Sequence, residues 1–326
     1  MSTILLPPSL DAEAALRLAN GLDAHRAAPE AILDFTGLRS VEPFGLLYAG
    51  AALRTFFRDR EYSGVGARGV HAGEPAHEYL AHIGFFQWLG IGVGKPPGAV
   101  PGGATWLPVT TITRADLNQR MAETGKPLGS VIHNECECLA RLVTQSHQLK
   151  VYTPLAYCMR EVIRNVFEHA HTDRCVLCAQ KCTDASVELA VIDQGRGIRR
   201  SLEERFKLDS DEEALRCALQ PGVSRNLSSD PHDPWGNSGF GLFVISELGR
   251  ELGVFRLVSG NAALHLAAGA CHVETAGYCG TAIQLRVRRP SGVNMTSFIE
   301  SIIARGETMS TRGAGRHASK STRNLS

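Results

Sequence analysis

The sequence predicts a mixed α/β (α+β) chain in two units. A β-α-β-α unit occupies residues 1–125, an α/β unit follows at 126–290, and a short helix and basic tail close the chain at 291–326. Three observations predict this. Over about the first hundred residues, short apolar runs alternate with amphipathic helical stretches, the pattern of helices packed on a sheet. From Leu155 onward, apolar residues recur at helical spacing and give way to two strand-like runs, the second ending on Asp193. Further on, a glycine-rich turn feeds a helix, and a strand begins on Gly280-Thr281.

Charge and composition exclude several classes. With 34 basic and 33 acidic side chains the formal net charge is +1, so neither nucleic acid nor an anionic membrane is the expected main partner. Met1–Leu6 has no basic stretch ahead of an apolar one, and no run of about 18 apolar residues occurs anywhere. A chain neither secreted nor membrane-spanning is expected. Nine cysteines, an odd number, suit a reducing cytoplasm better than a disulfide framework. Only Cys175 and Cys178 have metal-ligand spacing, and they sit in a strand-like run, so small buried thiols are expected there.

In order, Ile4-Leu5-Leu6 before Pro7-Pro8 reads as a short edge strand, and Asp11 as the N-cap of a helix to His25. Pro29 breaks it. Ala31 to Phe35 is a compact strand, followed by a tight turn, Gly37 to Gly45, and a helix from Leu46 to Phe57, with Pro43 suited to its first turn. Gly64 to Val70 and Ala76 to Ile83 repeat the strand–helix alternation. This stretch resembles the STAS domain of anti-sigma-factor antagonists in the strand Ile32–Phe35, the turn Glu42–Gly45 and the helix after it. Phosphorylated members of that family read Asp-Ser-Ser-Gly at the turn. Here it is Glu42-Pro43-Phe44-Gly45, with no hydroxyl to accept phosphate. The resemblance therefore implies a protein-docking fold without the family's phosphoacceptor; a plain α/β scaffold is the alternative.

Residues 92–108 are rich in Gly and Pro and read as a loop, Trp106 to Ile112 as a strand, Arg114 to Thr124 as a helix, and Gly125-Lys126-Pro127 as the linker. Helix Gly129–Gln148 leads to the amphipathic helix of the second unit. There Leu155, Met159, Val162 and Val166 form an apolar stripe, and Glu161, Asn165 and His169 repeat every four residues on a neighbouring face. Taken alone, that face reads as the solvated edge of a core helix.

The residues beyond this helix give the face a context. Cys175–Cys182 and Val187–Ile192 form a hairpin whose second strand runs into Asp193-Gln194-Gly195-Arg196-Gly197-Ile198, a carboxylate at a strand end beside permissive glycines. Gly236-Asn237-Ser238-Gly239-Phe240-Gly241-Leu242 opens a helix to Leu252, a geometry that offers N–H groups to phosphate. Glu-x3-Asn on a helix, Asp-x-Gly-x-Gly, this turn and Gly-Thr on a strand, in that order, resemble the GHKL ATP-binding fold of gyrase, histidine kinases and anti-sigma-factor kinases.

The resemblance implies an α/β sandwich binding ATP and Mg²⁺. Asp193 would accept from the adenine amino group, with Thr281 in support. Gly195 and Gly197 would let the ligand pass closely, with Ile198 a further binding residue beside them. Asn165 would hold Mg²⁺, Glu161 would be the general base, and Ser238, Gly239, Phe240, Gly241 and Leu242 would cradle the phosphates. The stretch between Gly197 and Gly236, with a helix at Asp211–Leu219 and a polar tract Ser224–His232, would be the lid.

The resulting expectation is a cytoplasmic signalling ATPase or serine/threonine kinase of the anti-sigma type. Its partner would be a protein met through the STAS-like unit, with a homodimer as a further option. A non-enzymatic ATP-sensing switch is the alternative. A histidine kinase fits less well, since His133-Asn134-Glu135 lacks an acid directly after the histidine and a following proline. Residues 297–304 read as a short helix, and the Gly/Ser/Thr/Arg composition beyond Arg305 as disorder.

Overall fold

The computed structural model describes residues 1–59, 65–100, 102–103, 105–144, 146–182, 184, 186–224, 238–288, 292–311, 318 and 320–323. The first unit comprises β1 (Ser2–Leu5), β2 (Ser9–Leu10), α1 (Ala12–Gly21), a 3-10 turn (Leu22–His25), β3 (Ala31–Asp34), β4 (Ser40–Val41), α2 (Pro43–Arg58), β5 (Gly66–Arg68), α3 (Pro75–His82) and α4 (Phe85–Leu89). Strands β1, β3 and β5 form a parallel sheet in the order β1-β3-β5, and β2 pairs with β4. Asp11 caps α1 by accepting the Ala14 N–H at 2.8 Å, which satisfies one of the helix's unpaired first-turn donors. Pro43 occupies the first turn of α2. A side chain at Gly45 would strike the Leu10 carbonyl oxygen at 2.1 Å, so α2 starts hard against the chain between β2 and α1.

The second unit comprises β6 (Trp106–Thr113), α5 (Arg114–Thr124), α6 (Leu128–Thr144), α7 (Leu149–His169), β7 (Arg174–Lys181), β8 (Ser186–Asp193), α8 (Gly197–Leu202), α9 (Asp211–Ala218), α10 (Gly241–Leu252), β9 (Gly253–Ala267), β10 (Ala270–Arg288), α11 (Met295–Thr311) and α12 (Lys320–Arg323). Its sheet is antiparallel throughout, in the order β6-β7-β8-β10-β9. Strand β6 lies ahead of the expected linker at Gly125, yet it is hydrogen-bonded along β7, with Thr111 opposite Val176. The chain is thus a mixed α/β protein with more than one sheet.

Because successive strand residues face opposite sides, the five-stranded sheet serves two cores. Leu177, Leu189, Val191, Leu257 and Leu285 pack with α6, α7, α10 and α11. Val176, Cys178, Ala190, Ile192 and Val258 instead join Phe44, Leu47 and Tyr48 of α2. The same alternation separates Cys175 from Cys178, which belong to different cores. Burial pushes both thiols well up. Two such side chains cannot ligate one ion.

The apolar contact of α2 with the sheet surrounds a polar one. Glu188, fully buried on β8, accepts the Phe44 N–H in the first turn of α2 at 3.0 Å. Arg286 of β10 lies 3.9 Å from Glu188 and pairs with Glu42 at 2.9 Å. Burial pushes the Glu188 carboxyl up from 4.5 to about 7, outweighing the Phe44 N–H that favours the anion. A raised folded pKa means that the stability contributed by this group is complete below about pH 4.5 and is lost as pH rises through about 7. The difference corresponds to a fall of about 3 kcal/mol between pH 5 and 8. Glu188→Gln is expected to remove that part of the fall in denaturant titrations across this range. An unchanged pH profile would show that the carboxyl titrates normally.

Past β10, the short helix expected at 297–304 runs from Met295 to Thr311, well into the stretch whose composition reads as disorder. Ile299, Ile302 and Ile303 are buried, and Arg305 ties α11 to Glu247 and Glu251 of α10. Tertiary contact overrides composition here.

Candidate functional site

A cleft with about 970 Å³ of empty space, partly open to solvent, runs beside α7. Glu161, Asn165 and His169 all line it, together with Val162 and Val166, which like Leu155 and Met159 of the apolar stripe are buried. At a rise of 1.5 Å per residue, the eight steps from Glu161 to His169 give this wall a length of about 12 Å.

One end of the cleft is built by strand ends. Asp193, the last residue of β8, faces Thr281 of β10 in the sheet register. It is 4% exposed. Its Oδ1 accepts the Gly195 N–H at 2.7 Å, and the Thr281 N–H and hydroxyl donate to the carboxylate as well. Burial nevertheless dominates and raises the carboxyl from 3.8 to about 6. Val191, Leu257 and Ile283 supply apolar lining nearby. A desolvated acceptor beside an apolar floor suits a flat ligand with an N–H donor at its edge.

Gly197, with φ +78°, lines the same end, as does Ile198. A side chain at Gly197 would meet Ser259 Oγ at 2.8 Å. That hydroxyl accepts the Ile198 N–H at 3.0 Å and donates to the Gly280 carbonyl at 2.7 Å, tying the loop after β8 to β9 and β10. Gly195 does not line the cleft. A side chain there would hit the Ala170 carbonyl oxygen at 2.1 Å, so this glycine lets the loop pack on the end of α7 and its close contact is with protein.

At the other end, α10 starts at Gly241, where a side chain would run into Glu161 Oε2 at 2.2 Å. The carboxylate therefore abuts the first turn of α10, where unpaired N–H groups concentrate. Its Oε1 is held by Arg160, through Nη2 at 3.1 Å and Nε at 3.2 Å. Arg160 is 1% exposed and lies over the Tyr157 ring at 5.0 Å. Ser238, Gly239 and Leu242 also line this cleft. Gly239, at φ +73°, passes so close to Val223 that a side chain would meet its carbonyl oxygen at 2.5 Å. Phe240 does not reach the cleft: it is wholly buried in the helical core. Gly236, Asn237 and nearly all of the polar tract, Arg225 to His232, lie outside the described residues.

Sequence reasoning missed Arg164 and Glu168, an ion pair at 2.9 Å that lines the cleft. Their four-residue spacing was visible, but it is also that of any solvated helix pair. It missed Ser201 and Thr322 as well, which carry no local signal. Among the described residues no group of three or more His, Cys, Asp or Glu could hold a metal ion. Asn165 offers a side-chain amide oxygen to the cleft beside the carboxylates of Glu161 and Glu168. Comparison with protein-family models, curated proteins and solved structures gives no match. No helix among the described residues is long and apolar enough to cross a membrane.

Proposed function

We propose that the cleft binds Mg-ATP and that the chain is a signalling ATPase or serine/threonine kinase of the GHKL type, joined to a STAS-like unit. The observation that carries this is the separation of chemistries along α7. A desolvated carboxylate, Asp193, sits at the end built by strand ends, Glu161 and the glycine-rich start of α10 sit at the other, and Asn165 lies on α7 midway between Glu161 and His169. Asp193 and Thr281 would recognise adenine, and Gly197 and Ile198 would bound the ligand. Ser238, Gly239, Gly241 and Leu242 would surround the phosphates. Bound at Asn165, Mg²⁺ would neutralise charge developing on phosphate oxygens. Glu161 would accept the proton of the attacking water or hydroxyl, with Arg160 fixing the carboxylate's orientation through Oε1.

Incubation with γ-labelled ATP tests the proposal. Free phosphate identifies an ATPase and labelled protein a kinase. Glu161→Gln is expected to keep nucleotide binding and to lower turnover by about 10²–10⁴-fold, the usual worth of a general base. Equal turnover in both proteins would assign the proton to another group. The Arg160–Glu161 ion pair favours one second reading, an ATP-sensing switch in which the carboxylate is structural. Binding with neither labelled product would select it.

A further inference from the structure

The end of the described chain returns to the cleft. In α11, Glu307 accepts the Ala318 N–H at 2.8 Å and forms an ion pair with Arg323 of α12. Between those two anchors, Thr322 is 2% exposed and lines the cleft together with Glu161, Asn165 and Gly241. Its Oγ1 lies 3.1 Å from Ser238 Oγ, in the turn that opens α10. A hydroxyl-bearing residue of the chain is therefore held, in cis, against the proposed phosphate end of the site.

We propose that Thr322 is the phosphoacceptor of this cleft and is modified in cis. The inference rests on the Mg-ATP reading and names its substrate. A segment that blocked the site by imitating a polyphosphate would present a carboxylate to the α10 turn. Among the described residues of this segment, what is presented is a neutral hydroxyl, while the acid of α11, Glu307, is engaged by Ala318 and Arg323. In the transfer, Thr322 Oγ1 bonds to the γ-phosphorus of ATP as the bond from that phosphorus to the bridging β-oxygen breaks. ADP leaves with the electron pair. The hydroxyl proton passes to Glu161 and from there to water. Positioning supplies most of the rate in such a reaction, and anchoring by Glu307 supplies positioning here.

The test uses the full chain with Mg²⁺ and γ-labelled ATP over a dilution series. Phosphopeptide mapping is run alongside calorimetric titration with a non-hydrolysable ATP analogue. One phosphoryl group per chain on Thr322, with a half-time independent of protein concentration, is the expected result. Thr322→Ser, which keeps the hydroxyl, should retain labelling, and Thr322→Val should lose it. If the analogue binds but Thr322 stays unlabelled, or label appears at another residue or only in a concentration-dependent manner, the inference is overturned and the ATP site stands. Tighter analogue binding by Thr322→Val, with no labelling of the parent, would make the segment a plug, which also overturns it. Absence of analogue binding in the parent, in Thr322→Val and in a chain ending at residue 317 would overturn the Mg-ATP reading itself.

Discussion

Asp193→Asn is expected to weaken binding of adenine nucleotide by about 100-fold or more while leaving the protein as stable as before, or more so, at pH 7.5. The two effects have one cause. The Asp193 carboxyl is buried, and burial lifts it from 3.8 to about 6 in spite of three hydrogen bonds that favour the anion. With a raised folded pKa, its contribution to stability is complete below about pH 4 and is lost as pH rises through about 6. Above that, keeping it ionised costs about 3 kcal/mol, since each tenfold weakening of the acid is worth ~1.4 kcal/mol. A carboxamide avoids this cost and gives back part of the gain through weaker hydrogen bonds, for a net of about 1–2 kcal/mol. It also presents an N–H₂ where the ligand's own donor would sit, hence the loss of affinity. Urea titrations at pH 4.5 and 7.5, with calorimetry at the higher pH, check both. Destabilisation at pH 7.5 with unchanged nucleotide binding would remove Asp193 from the site.

Arg160→Met is expected to be among the most damaging single changes, at about 3–5 kcal/mol. Arg160 is 1% exposed and its partner Glu161 8%, so removing the guanidinium strands a carboxylate in the interior. The ring contact with Tyr157 goes too. Methionine fills much of the volume, which confines the loss chiefly to charge. Glu161→Gln made in the Arg160→Met background should recover about 2 kcal/mol or more, as a double-mutant cycle measures. If the two changes simply add, the pair is not coupled and Glu161 is held by something else.

Much of the site could be read from sequence because its signals are local. The four-residue spacing of Glu161, Asn165 and His169 and the apolar stripe beside them fix one wall, and both follow from helical periodicity alone. A carboxylate ending a buried strand is equally visible at Asp193. Residues within a motif can still point elsewhere: Phe240 is flanked by cleft-lining glycines yet fills the helical core, and Gly195 answers to Ala170. Strand β9 and the first half of β10 were not legible. Their turn depends on left-handed backbone at Ala268 and Gly269, and register shifts between Thr275 and Thr281 interrupt the alternation. The extension of α11 was hidden because the Gly/Ser/Thr/Arg composition beyond Arg305 reads as disorder. In the fold Arg305 meets two glutamates, and a side chain at Gly306 would collide with Phe243 at 2.5 Å.

The contact between Phe44 and Glu188 has a consequence for biosynthesis. The two residues are 144 apart in sequence. At about 5–20 residues per second, roughly 7–30 s separate their emergence during translation. Through that interval Phe44, Leu47 and Tyr48 lack the five-stranded sheet with which they share a core. The first unit therefore leaves the ribosome with an adhesive face, and nascent chains stalled before residue 188 should be the ones that recruit chaperones.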